Sequence, residues 1–150
     1  LSRSPGDTPT TGALSSAISN ATVRLLSEYT GRGPTKARTY ITGDLITVVL
    51  QDTLTKGERG LVRNGEETLV LQSRNAYQRT MSADLISTVE EITGRRVLAF
   101  LSGNHIEPDY AIESFVLARR GDEAPRTGLN AGVAGLPAGE RSRTAARIRR

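Results

Sequence analysis

The chain has 150 residues, of which 24% are charged, a formal net charge of +4 and no cysteine. That length fits one domain with tails, and the missing cysteine excludes a disulfide framework, a thiolate zinc site and a cysteine nucleophile. The charge is uneven: residues 1–118 carry 12 basic and 13 acidic side chains, whereas residues 119–150 carry 8 arginines and 3 acids, so attraction to anionic partners belongs first to the C-terminal segment.

Residues 1–12, LSRSPGDTPTTG, lack the apolar core of a signal peptide and read as a disordered leader. No later run approaches the roughly 18 apolar residues of a membrane span. The expectation is a soluble, cytoplasmic protein, with peripheral contact to a membrane left open. A first helix is predicted over 13–29, where Leu14, Ile18, Ala21, Leu25 and Tyr29 fall on one stripe of a 3.6-residue period. Thr10 or Thr11 can cap its start. Gly31 sits where a left-handed residue would end it, and Gly33-Pro34 turns the chain away, since proline cannot continue a helix.

Residues 36–42 and 45–51 are rich in β-branched and aromatic side chains and predict two strands. Gly43-Asp44 between them suits a two-residue hairpin turn with positive φ at the glycine. Thr55 followed by Glu58 is a capping box opening a short helix at about 56–63, which Asn64-Gly65 breaks. A long helix is predicted over 67–93 on the stripe Tyr77, Met81, Leu85, Val89 and Ile92, with Gly94 ending it. A third strand at 97–101, a longer turn at 102–109 and a fourth strand at 110–118 complete the pattern. Residues 119–150 are rich in Gly, Ala, Pro and Arg, a composition that predicts a disordered tail.

The order α-β-β-α-α-β-β predicts an α+β domain over 13–118. Its four-stranded antiparallel sheet, made of two hairpins, packs with two main helices and one short one. Glu28-Tyr-Thr-Gly-Arg32 returns as Glu91-Ile-Thr-Gly-Arg95, 63 residues later. Both copies lead into strand, turn, strand. The echo is either convergent helix capping or the mark of an internal pseudo-twofold. Gly31, Gly33, Pro34, Gly43 and Gly94 are read as structural corners, and Arg32 and Arg95 as candidate anion contacts. Apolar residues run consecutively in the strands, as in Val48-Val49-Leu50 and Phe115-Val116-Leu117. Such runs predict partial cover on both sheet faces, and two helices cover only one, so the other calls for a homodimer or an unidentified subunit.

Chemistry is sparse. His105, Glu107 and Asp109 stand at alternate positions, which in an extended segment share a face and make candidate ligands for a divalent ion. The same residues also read as a polar turn. The glycine-rich 31–34 corner follows a helix and leads into a strand, the wrong order for a phosphate loop. A single histidine leaves little for acid–base chemistry, so no catalytic residue and no cofactor are assigned and the chain reads as a non-enzyme. The arginine-rich tail offers weak contact with nucleic acid or acidic lipid by charge alone. It has no aromatic residue for base stacking.

GRGPTKARTYI at 31–41, LTKGERGLV beginning at Leu54, and EITGRRVLAFLSGNHIEPDYAIESFVL at 91–117 resemble the MpsC-like family. That family was long a bacterial domain of unknown function, named after a component of a sodium-translocating, membrane-potential-generating system. The resemblance spans about residues 13–118. It implies an accessory or regulatory binding module beside a membrane cation or bicarbonate uptake system, with a membrane transport subunit as partner, and it brings no functional residue with it. The alternative is a nucleic-acid-associated protein acting through its basic tail. A divalent-ion-dependent enzyme built on the 105–109 turn is the third reading.

Overall fold

A computed structural model of the chain describes residues 8–122. Most of the expected leader and tail lies outside these residues. The elements follow as α1 (Thr11–Thr30), β1 (Lys36–Thr42), β2 (Leu45–Gln51), α2 (Lys56–Arg63), α3 (Glu67–Thr93), β3 (Val97–His105) and β4 (Tyr110–Leu117). The four strands form one antiparallel sheet in the order β1-β2-β4-β3. The expected α+β architecture is therefore present. α1 begins inside the stretch assigned to the leader because the Thr10 side chain accepts from the Ala13 N–H, which supplies one of the donors a helix start leaves free.

Two sequence expectations change. β3 runs to His105 rather than stopping at 101, because Ser102, Gly103 and Asn104 pair with Glu113, Ile112 and Ala111. Ladder pairing overrides their turn-like composition, and the turn shrinks to residues 106–109. On α3 the buried positions are Val70, Gln78, Met81, Leu85 and Val89, while Tyr77 is 47% exposed. The inward stripe thus passes through a polar residue that a search for apolar periodicity skips.

One face of the sheet carries the core. Ile46, Val48 and Leu50 of β2 and Ala111, Phe115 and Leu117 of β4 pack against Ile18 of α1 and Met81, Leu85 and Val89 of α3. Each of these side chains larger than alanine contributes roughly 1.5–3 kcal/mol when fully buried. A smaller cluster of Leu54, Val70 and Ile106 ties the loop before α2 to the start of α3 and the β3–β4 turn. α1 lies along β1, α3 along β3, and the two helices pack together.

The sheet repeats itself about its centre. Lys36–Thr42 corresponds to Ala99–His105 and Leu45–Gln51 to Tyr110–Val116, the longer β3–β4 turn absorbing two residues. Under that correspondence the β2–β4 register maps onto itself, with Val48↔Glu113 at the middle. The corners match as well. Gly31 and Gly94 are left-handed at φ 76° and 66° and donate to Ser27 O and Glu90 O. Thr30 and Thr93 hydroxyls each bond the carbonyl four residues back. Leu117 N–H donates to Asp44 O, and Asp52 N–H to Asp109 O, the equivalent pair. This shared bonding favours the pseudo-twofold over accidental likeness of two helix ends.

Gly31→Ala and Gly94→Ala should each cost about 1 kcal/mol, because a Cβ at positive φ is strained although neither would meet an atom within 4 Å. Chemical denaturation of both variants checks this, and an unchanged midpoint in both would remove the conformational reason for glycine there. Gly33 serves packing instead: a Cβ there would lie 2.3 Å from Ser27 Oγ.

Candidate functional site

β4 alternates inward Ala111, Glu113, Phe115 and Leu117, so the strand's own period carries a carboxylate into the core. Glu113 is completely buried. Its Oε1 accepts from Gln78 Nε2 at 3.2 Å, and Oε2 has no partner in hydrogen-bonding geometry. Burial pushes the carboxyl up to about 7, offset in part by the Ser102 hydroxyl, the Gln78 amide and the charge of Arg74. Desolvation disfavours the ionised form and the polar neighbours cannot restore what water would supply.

From Glu113 a polar chain runs to the edge of the molecule. Gln78 Oε1 accepts from Asn104 Nδ2 at 2.9 Å, and Asn104 Oδ1 from the Arg74 guanidinium at 3.1 Å. Arg74 also donates to Thr53 Oγ1 and the Thr53 carbonyl, at 3.0 and 2.7 Å, and grips both oxygens of Glu58. Only 11% of the Arg74 side chain and 15% of Glu58 is exposed, so this pair is charge-assisted and largely dry. Glu58 also closes the capping box of α2 by accepting from Thr55 N–H at 2.7 Å. Thr53 Oγ1 and Leu54 N–H both donate to the Asp109 carboxylate. One network therefore joins α2, α3, β3, β4 and the β3–β4 turn.

A cavity of about 20 Å³ opens beside Glu113, lined among others by Leu26, Leu50, Arg74, Gln78 and Met81. That volume holds about one water molecule. This cavity therefore offers a carboxyl that keeps its proton to near neutral pH, beside a space for one hydrogen-bonding partner.

The expected ion ligands separate. His105 Nδ1 lies 2.7 Å from Pro108 O, Glu107 is exposed, and Asp109 is committed to Thr53 and Leu54. Their shared face required an extended 105–109, and a turn containing a cis Glu107–Pro108 peptide replaces it. Among the described residues no group of three His, Cys, Asp or Glu side chains is placed to hold a metal ion. The two candidate anion contacts are engaged internally. Arg32 donates to Asp52 O, Leu54 O and the Asp52 carboxylate. Arg95 donates to Ala118 O and pairs with Asp44. Both hold the chain where it leaves a central strand. Gly43, at φ 57°, forms the β1–β2 turn with Asp44, and Pro34 lies beside Arg32 at the cavity wall.

Sequence reasoning missed Glu113, Gln78, Asn104 and Arg74. The signal was parity: Glu113 stands at a core position of a strand whose neighbours two residues away, Ala111 and Phe115, are apolar, and Arg74, Gln78 and Met81 step along one helical face.

No curated protein and no solved structure matches the chain. A family profile described as "Na+-translocating membrane potential-generating system (MpsC)" matches residues 10–119. That span takes in all seven elements and every residue of the buried network, so the chain belongs to the MpsC family.

Proposed function

We propose that this chain is a non-enzymatic accessory module of a Na+-translocating, membrane-potential-generating system, acting at the cytoplasmic membrane surface beside a separate transport subunit. The observation that carries the reading is that no helix among the described residues is long and apolar enough to cross a membrane. Within a family described by membrane ion transport, that favours support or regulation of a conducting subunit over conduction by this domain. The polar network supports a regulatory rather than a catalytic part, because its charged pair, Arg74 and Glu58, is engaged internally.

Deleting the gene should lower Na+-dependent membrane potential in membrane vesicles, measured with a potential-sensitive dye under a protonophore that removes the proton component. Re-expressing the chain should restore it. An unchanged Na+-dependent potential would overturn the proposal. The alternative role, nucleic-acid association through residues 119–150, draws support from Arg119 and Arg120, which are exposed directly after β4. It predicts RNA binding that falls steeply with salt and disappears when the chain ends at residue 118.

A further inference from the structure

The face of the sheet turned away from the helices has no cover within the described residues. Tyr40, Leu45, Leu101, Tyr110 and Ile112 stand on it at 37–59% exposure, on a surface with no acidic side chain along its strands. We propose that this face binds the same face of a second copy, about a twofold axis parallel to the strands, so that β1 of each copy lies over β3 of the other.

The register of the sheet decides the geometry. It sets the outward side chains in four rows across the strands, among them Tyr40–Thr47–Ser114–Leu101 and Arg38–Val49–Ile112–Gly103. A twofold parallel to the strands lays each row on its own reverse. Tyr40 then meets Leu101 of the second copy along the edge strands, and on the central strands Val49 meets Ile112 and Thr47 meets Ser114. Arg38 falls over Gly103, which has no side chain to obstruct it. Lys36 falls opposite His105, at the margin. A twofold across the strands would instead set β1 on β1 and crowd Lys36 and Arg38 of both copies along one line, where like charges repel. Apolar pairs that include Val49 and Ile112 on the central strands, with cations at one margin of each face, match the anatomy of a protein interface. The cations also make the chain's own arginine-rich C-terminal residues a poor cover.

The area is sufficient. Four strands and four outward rows project roughly 20 by 25 Å, about 500 Å² per copy, from strand spacing and rise. Two copies therefore bury about 1,000 Å² before the relief of the side chains is counted, which reaches the lower bound of a specific interface. Two sheets stacked about 10 Å apart, in aligned packing, would form a β-sandwich with helices on both outer sides.

The test uses the full chain at micromolar concentration. Light scattering should give twice the 16.1 kDa chain mass. Ile112→Lys should weaken association roughly tenfold or more, because an ammonium would be buried against Val49 of the second copy. Leu61→Lys, on α2 and away from the face, should leave association unchanged. The chain has no cysteine, so a mixture of Tyr40→Cys and Leu101→Cys chains carries thiols only at those sites. A short bis-maleimide should link the two variants to each other far more than either to itself. A monomer at these concentrations would overturn the proposal, and so would a monomer that binds only anionic phospholipid vesicles. A dimer that survives Ile112→Lys, or one that links Tyr40→Cys chains to each other, would overturn the face or the axis.

Discussion

Arg74→Met should destabilise the fold by about 3 to 5 kcal/mol, the usual cost of removing one partner of a buried, hydrogen-bonded ion pair. Arg74 makes five hydrogen bonds, to Glu58, Thr53 and Asn104. Methionine keeps most of the stem's packing but leaves Glu58 Oε1, the Thr53 carbonyl and the Asn104 amide oxygen without the guanidinium donor, and Glu58 Oε2 with Thr55 N–H alone. Since a domain of this size is stable by only about 5–15 kcal/mol, the variant should unfold early in urea. Arg74→Lys should recover less than half of the loss, because an ammonium cannot span Thr53, Asn104 and both oxygens of Glu58 with one rigid fork. Glu58→Gln in the Arg74→Met background should cost little more, since the two residues act as a pair. A denaturation midpoint for Arg74→Met within error of the parent would mean that the network does not join α2 to α3 energetically.

The elements were legible in the sequence because local signals agreed with tertiary packing. Thr55 and Glu58 form the expected capping box, Gly31 and Gly94 take the expected left-handed conformation, and Gly43-Asp44 turns the first hairpin in the expected register. β3 was legible only as far as Leu101, since Ser102-Gly103-Asn104 has turn composition and only pairing with β4 makes it a strand. The candidate site was hardly legible. Its members come from α2, α3, β3, β4 and two loops, brought together by topology rather than by spacing along the chain. The 105–109 run attracted attention because its ligands are close in sequence, yet only Asp109 joins the network. Arg32 and Arg95 looked like free cations because the carbonyls they bind lie up to 23 residues away. Glu113 was hidden for the opposite reason: among apolar neighbours in a strand it reads as an outward-facing polar position, until parity with Phe115 and Leu117 turns it inward.

Glu113 should make stability fall as pH rises. Its carboxyl titrates near 7 in the folded chain against an ordinary value of 4.5, so between those values the folded state holds a proton that the unfolded state has released. Where the native state binds more protons, stability drops with increasing pH. The contribution is fully present below the ordinary carboxyl value and is lost as pH passes through about 7. A difference of this size corresponds to roughly 3 kcal/mol across the window. The other charged groups at the cavity are Arg74 on α3, Glu58 on α2 and Arg32 at the end of α1. Arg74 draws the carboxyl down, while Glu58 and Arg32 are held by Arg74 and Asp52 respectively. Glu113→Gln keeps the acceptor for Gln78 Nε2 and removes the titration. Urea midpoints of parent and variant, measured from pH 4.5 to 8, should therefore diverge, with the parent losing ground to the variant as pH rises. Taking the difference between the two curves cancels the exposed carboxylates common to both. In an Arg74→Met background the divergence should begin at the same pH but continue to higher pH, since the cation that favours ionisation in the folded state is gone. Parallel curves for parent and Glu113→Gln would mean that Glu113 reaches water in the folded chain, and the buried carboxyl would lose its standing as the chemical centre of the domain.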